Sequence, residues 1–350
     1  MSTYQNLENA LSALPKVHLG FYPTPLQKLE NLSSKYGVNI YLKRDDFSGI
    51  SLFGGNKIRK LEYLMGDAIH QGCDTVFTYG ATQSNHAMQT ATVARRCGLL
   101  PILYLAAIVE PDQESIRANL LLDTILGAEV HIVPAEDGSL ANASARAAVL
   151  AKQQMEQLEK NGHKCYDVPL GGASVIGTCG FIEGFMELQK QLEAIGEHAD
   201  YLFTATGTGG TLAGITAGKK ALSSDVQIVG ITVGDKPTDY PQHVADLSNT
   251  ALKLLNYQTI VTTNDFFVDR NYFAPGYEQP NEMANSAIRE LARTEGVFTD
   301  PVYSGKGFSG MLDYIKSGKI SQGSTVVYLH TGGTTALFAE NEIIGSLSKA

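Results

Sequence analysis

The chain has 350 residues, 43% apolar and 18% charged, with a formal net charge of −9. This is a globular balance that excludes a disordered or collagen-like chain, and the length suits about two domains of roughly 150 residues. Acidity without a Lys/Arg stripe argues against a nucleic-acid partner.

The N-terminus lacks a basic segment followed by an apolar one, and no stretch approaches a membrane span, so a soluble protein kept in the cytoplasm is expected. Cys73, Cys97, Cys165 and Cys179 are widely spaced and form no C-x-x-C pair. They read as reduced, mostly buried thiols, with no metal site.

In chain order, strands are predicted from Asn39 ("NIYLKR"), Thr75 ("TVFTYG"), Pro101 ("PILYLAAI"), Glu129 ("EVHIVP"), Tyr201 ("YLFTATG"), Val226 ("VQIVGITV") and Thr325 ("TVVYLHTGG"). Helical patterns fall between them at 58–71, 84–97, 114–126, 139–160, 176–195, 210–222 and 282–295. Four of these close on glycine, at Gly72, Gly98, Gly127 and Gly296. This alternation predicts an α/β protein with two domains, each an open, mostly parallel, twisted sheet flanked by helices. No linker or repeat separates two halves. A small domain, 58–165, is therefore expected as an insertion in a larger one built from 1–57 and 166–350.

Ligands of open α/β sheets bind beyond the carboxyl ends of the strands. Three loops suited to that position have unusual chemistry: "FGGNK" (53–57), "GATQSNH" (80–86) and "TGTGGT" (206–211). In the last, Thr208, Gly209, Gly210 and Thr211 can aim N–H groups and hydroxyls at one anion at a helix start. A dinucleotide fingerprint fails there, because Leu212 occupies the place of the third glycine. "SGKG" (304–307) fails as a P-loop, with Asp300 and Gly307 at two required positions. A tight turn without a ligand is the alternative for the glycine loop.

Ser84 has the position of a helix N-cap, and with Gln83 it could equally bind a carboxylate. His86 reads as a residue of the helix start rather than a base, since no carboxylate orienter accompanies it. Lys57 opens an amphipathic helix, where the dipole disfavours a cation and lowers the cost of a neutral amine. A nucleophilic amine beside a single-phosphate cup suggests pyridoxal phosphate held as a Schiff base. Lys60, at i+3, could reach the phosphate as a point charge.

At these residues the sequence resembles the tryptophan-synthase-β-like, fold type II, pyridoxal phosphate enzymes. More narrowly it resembles the D-cysteine desulfhydrase and 1-aminocyclopropane-1-carboxylate deaminase family. The similarity runs from "PTPLQKLENLS" and "YLKRDD" through "GGNKIRKLEYL", "GATQSNH" and "GTGGTLAG" to "APGYEQPNE", "DPVYSGKGFSGM" and "HTGGTTALF". It implies that Lys57 carries the cofactor and that Asn85 bonds its phenolic oxygen. Residues 208–211 would hold the phosphate, and Ser84, with the region of Gln83 and His86, the substrate carboxylate. Tyr277 and Tyr303 match active-site tyrosines of the family, and Thr331 a position near the pyridine nitrogen. Relatives further imply a homodimer.

One position departs from the deaminase branch. Members that open the cyclopropane ring resemble "PVYEGK", with glutamate where this chain has Ser304. A hydroxyl from Ser304 or Thr331 cannot keep the pyridine protonated, so β-elimination is expected rather than ring opening. D-Cysteine is the expected substrate, yielding pyruvate, ammonia and hydrogen sulfide. L-Cysteate with sulfite release is the alternative, and Ala173 and Ser174, in a variant "GGASVIGTCG" segment, could lie near the substrate. Two further rivals are a pyridoxal phosphate carrier without turnover and a phosphosugar- or nucleotide-binding protein.

Overall fold

The computed structural model describes residues 3–50 and 54–339, so Phe53 of the first loop lies outside it. Ten strands are present among these residues: β1 (Leu26–Lys28), β2 (Asn39–Arg44), β3 (Thr75–Ala81), β4 (Leu100–Ala107), β5 (Glu129–Pro134), β6 (Cys165–Asp167), β7 (Tyr201–Thr206), β8 (Gln227–Thr232), β9 (Phe267–Asp269) and β10 (Thr325–His330). The helices are α1 (Thr3–Ser12), α2 (Glu30–Tyr36), α3 (Lys57–His70), α4 (Asn85–Arg96), α5 (Ala118–Ile125), α6 (Leu140–Lys160), α7 (Val175–Ala194), α8 (Gly210–Leu222), α9 (Tyr240–Leu254), α10 (Glu282–Glu295), α11 (Ser304–Lys316) and α12 (Ala336–Ala339). All seven predicted strands and all seven predicted helices are found, β2, β5, α8 and α10 with the expected bounds and the others with shifted ends.

Six strands form one sheet in the order β1-β2-β10-β7-β8-β9, and four form another in the order β5-β4-β3-β6. Every pairing is parallel except β1 with β2. In the larger sheet β10 is central and buried at all six positions, as expected of a parallel strand covered on both faces. Each fully buried Val or Leu there stabilises the fold by about 1.5–3 kcal/mol.

Eight elements are missing from the sequence reading, α1, α2, α9 and α12 among them, and for the other four the cause is local. Strands β1, β6 and β9 are three residues long, too short for a periodic signal. Helix α11 is hidden by glycines, which packing requires: a Cβ on Gly305 would lie 2.6 Å from the Asp300 carbonyl oxygen, and one on Gly307 2.5 Å from the Tyr328 hydroxyl. Tertiary fit overrides helix propensity at both positions.

Helix α3 is buried along most of its length. Its first turn is fixed by Arg59, whose guanidinium donates to both Asp45 oxygens, at 2.8 and 2.9 Å, and to Glu187 at 2.8 Å. Lys43 also pairs with Glu187, so this buried cluster holds two cations and two anions. The arginine holds the Glu187 carboxyl down at about 2, against the burial that would raise it. Lys57 lies two residues before this anchor.

The four cysteines are free; Cys73 and Cys179 are buried, Cys97 and Cys165 half-buried. Among the described residues no helix is long and apolar enough to cross a membrane, and no cluster of His, Cys, Asp or Glu could hold a metal ion.

Candidate active site

A cavity of about 470 Å³ opens where the carboxyl ends of β3, β7, β8 and β10 face the start of α3. Lys57, Lys60, Ser84, Asn85, His86, Thr208, Gly209, Thr211, Tyr277, Tyr303 and Thr331 all line it. Residues from six separate stretches of sequence thus converge on one space.

Lys57 is the first residue of α3. Burial lowers its amine to a pKa of about 8, although the Asp300 carboxylate opposes the shift. A substantial neutral fraction therefore exists near physiological pH, as a nitrogen nucleophile requires. Lys60, one turn on, is buried, and its ammonium donates to the Gly171 carbonyl at 3.2 Å. Burial, and then the charge of Lys57, lowers its pKa well below the ordinary lysine value.

The glycine turn after β7 leads into α8, with Gly209 in the left-handed region at φ +91°. A Cβ on Gly210 would lie 3.1 Å from Nζ of Lys60, so the lysine stands directly behind the turn. Asn56 donates to the Thr211 hydroxyl at 2.9 Å and joins the start of α3 to the start of α8. Free N–H groups at a helix start, flanking hydroxyls and a buried amine make a site for one phosphate group.

On the other sheet, Ser84 caps α4 by accepting from the Ala87 N–H at 3.2 Å. His86 is buried, and its Nε2 hydrogen-bonds the Thr78 hydroxyl at 2.9 Å. Burial, then the charges of Lys57 and Lys60, depresses its pKa well below the ordinary value, so the ring is neutral. Asn85 faces the cavity with its amide.

Tyr277 and Tyr303 come from different loops, and their hydroxyls hydrogen-bond each other, with the rings edge-to-face at 5.7 Å. Burial raises both phenol pKa values, so both keep their protons at neutral pH. One of the pair can donate onward into the cavity.

The structure corrects the expectations at Ser304 and Gln83, neither of which lines this cavity. The Ser304 hydroxyl donates to Asp300 Oδ1 at 2.5 Å and accepts from the Asp300 N–H at 2.9 Å. Its geometry is that of a brace at the start of α11. The expectation at Gln83 concerned its backbone; its side chain accepts from the Asn119 N–H and donates to the Arg117 carbonyl. Ser174 is spent on capping α7, where it accepts from the Gly177 N–H at 3.1 Å.

Sequence reasoning missed four groups. Asp300 is buried and accepts from the N–H groups of Val302, Tyr303 and Ser304. Lys306, also buried, donates to the Gly276 carbonyl at 2.7 Å and fixes the backbone just before Tyr277. Burial lowers its pKa to about 8. Asn119 contacts Asn85, and Lys236 lines the cavity. Asp300 and Lys306 lay within quoted motifs, but nothing local distinguishes a buried charge from a surface one.

Residues 17–332 match the family described as pyridoxal-phosphate dependent enzyme. A Thermotoga maritima protein named "Putative 1-aminocyclopropane-1-carboxylate deaminase" is 38% identical over 93% of this chain and 98% of its own. A Salmonella newport protein named "D-cysteine desulfhydrase" is 36% identical over 94% and 97%. Among solved structures, one titled as an analysis of "the ACC deaminase homologue" superposes with a TM-score of 0.85 at 35% identity, covering 97% of this chain and 98% of that one. The donor set described above fits pyridoxal phosphate: a neutral-capable amine for the aldehyde, a one-phosphate cradle backed by Lys60, and an amide between them.

Proposed function

The chain belongs to the pyridoxal-phosphate dependent enzyme family, and from that premise we propose that it performs α,β-elimination on a small β-substituted amino acid. D-Cysteine is the substrate of choice, consumed with water to give pyruvate, ammonia and hydrogen sulfide. The observation that carries this reading is the placement of a low-pKa amine, Lys57, and a protonated tyrosine pair on one cavity. Elimination needs a base for the Cα proton and an acid for the departing sulfur.

Lys57 would hold the cofactor aldehyde, Asn85 the phenolic oxygen, and Thr208 to Thr211 with Lys60 the phosphate, while Thr331 would lie by the ring. When bound, pyridoxal phosphate supplies an electron-withdrawing ring that accepts the electron pair left at the substrate Cα. Ser84 and the N-terminus of α4 orient the substrate carboxylate, with the His86 N–H alongside. Lys57 Nζ removes the Cα proton. The Tyr277–Tyr303 pair then delivers a proton to the leaving sulfur.

One observation favours a second reading, sulfite release from L-cysteate. Lys236 lines the cavity beside Asp235, and its Nζ lies 5.8 Å from the centroid of the Tyr240 ring. Such a cation could face a sulfonate.

D-Cysteine, L-cysteine, L-cysteate and 1-aminocyclopropane-1-carboxylate, assayed in parallel, separate these readings. Pyruvate with sulfide from D-cysteine supports the first, and pyruvate with sulfite from L-cysteate the second. 2-Oxobutyrate from the cyclopropane substrate, or no keto acid from any of them, overturns both.

A further inference from the structure

A buried polar network behind the cavity fixes which way the Asn85 amide faces. The Asn119 side-chain N–H₂ donates to the Gln83 carbonyl oxygen at 2.9 Å and to Asn85 Oδ1 at 2.9 Å. A backbone carbonyl only accepts, so the nitrogen of Asn119 must point that way, and its second partner must also be an acceptor. The Thr335 hydroxyl, arriving from the segment after β10, donates to the same Oδ1 at 3.0 Å. With its oxygen doubly occupied, Asn85 is left with its N–H₂ group for the cavity.

The attachment of Asn119 is itself unusual. The preceding residue, Ala118, has φ +48°, a left-handed conformation that costs a residue with a Cβ roughly 1–2 kcal/mol. Gln83 locks both sides of this residue, accepting from the Asn119 N–H at 3.0 Å and donating to the Arg117 carbonyl at 3.2 Å. Both Asn119 and Thr335 are nearly inaccessible, at 1% and 3% exposure. A strained residue kept in place by hydrogen bonds from the adjacent loop is the pattern of a position held for function. Opposite, the turn at Gly333 leaves space for the amide: a Cβ there would lie 3.0 Å from Asn85 Nδ2 and 2.9 Å from Asp300 Oδ1.

We infer that Asn119, together with Thr335, is a positioning residue that orients the Asn85 amide so that it donates to the phenolic oxygen of the cofactor. The inference rests on the reading of Asn85 as a cofactor ligand. A donor held there stabilises the phenolate and lowers the pH at which the visible band of the bound cofactor changes. If the clamp is lost, nothing on that side stops the amide from rotating and presenting its oxygen.

The test is a double-mutant cycle of Asn85→Ala, Asn119→Ala and their combination, with Thr335→Val as an independent probe that leaves α5 untouched. The readouts are the dissociation constant of pyridoxal phosphate and the pH midpoint of its visible band. Asn119→Ala is expected to weaken the cofactor roughly five- to tenfold, the change of about one hydrogen bond, and to move the midpoint upward. Thr335→Val should move it in the same direction, and Asn119→Ala should add nothing in the Asn85→Ala background. If Asn85→Ala shifts the midpoint while Asn119→Ala and Thr335→Val do not, or if the effects add, the clamp is overturned and the ligand reading stands. If Asn85→Ala itself changes neither readout, the ligand reading falls, and the clamp with it.

Discussion

Ser304 Oγ donates to Asp300 Oδ1 at 2.5 Å, in a site where both side chains are fully buried. The hydroxyl that the motif "PVYSGK" seemed to offer to the cofactor is instead committed to a carboxylate four residues earlier. Burial raises the Asp300 pKa, and the Ser304 hydroxyl with three backbone N–H groups opposes the rise. Ser304→Ala should therefore lower stability by about 1–3 kcal/mol, the cost of leaving a buried charged acceptor one donor short. Urea unfolding of the two proteins measures this, and an unchanged midpoint would refute the brace.

Lys57 governs capture of the cofactor through its neutral form. Its amine has a pKa of about 8, so the protonated fraction dominates below that pH. The rate at which cofactor-free protein takes up pyridoxal phosphate, followed by visible absorbance, should rise roughly tenfold per pH unit up to about 8 and then level off. Lys57→Ala should abolish both the covalent absorbance and turnover. A capture rate that keeps climbing to pH 10 would place the amine at its ordinary pKa.

The two tyrosines share one hydrogen bond and should act as a unit. Tyr277→Phe and Tyr303→Phe should each lower kcat by roughly 10²–10⁴, the range for loss of general acid catalysis. The double variant should lose little more than the worse single one. Fully additive losses would assign the hydroxyls to separate tasks.

Lys306 acts on this pair at one remove. Its ammonium holds the Gly276 carbonyl, and Gly276 precedes Tyr277. Lys306→Met should reduce kcat by up to roughly 10²-fold through misplacement of the phenol. The loss should vanish in a Tyr277→Phe background, and steady-state kinetics of the four proteins would reveal any that persists.

Arg59 holds the start of α3 by its buried pairs with Asp45 and Glu187. Arg59→Met would leave Asp45 without its cation and Glu187 with Lys43 alone, at a cost of about 3–5 kcal/mol. The Glu187 carboxyl is held below its unfolded value, at about 2, so its contribution is complete above roughly pH 5. That contribution declines as pH falls towards 2. Denaturant melts between pH 3 and 7 should show this slope in the parent protein and a weaker one in Arg59→Met.

The sequence by itself determined the alternation of strands and helices, the position of the glycine turn at a helix start, and the identity of Lys57 as an amine out of place for a permanent cation. Each is a local property, carried by side-chain period, capping residues and glycines within a few positions of one another. Helical spacing added Lys60 and motif resemblance the tyrosines and Asn85, and the structure gathers all of them at one cavity. What only the tertiary structure decided is how the polar groups are spent. Asn85 is oriented by partners 34 and 250 residues away, and Lys60 meets a carbonyl 111 residues distant. Ser304 and Asp300 are close in sequence, yet their pairing follows from burial that excludes water as a partner. Hydrogen-bond saturation in a dry interior is settled by whatever the fold brings within 3 Å, and no linear pattern records it.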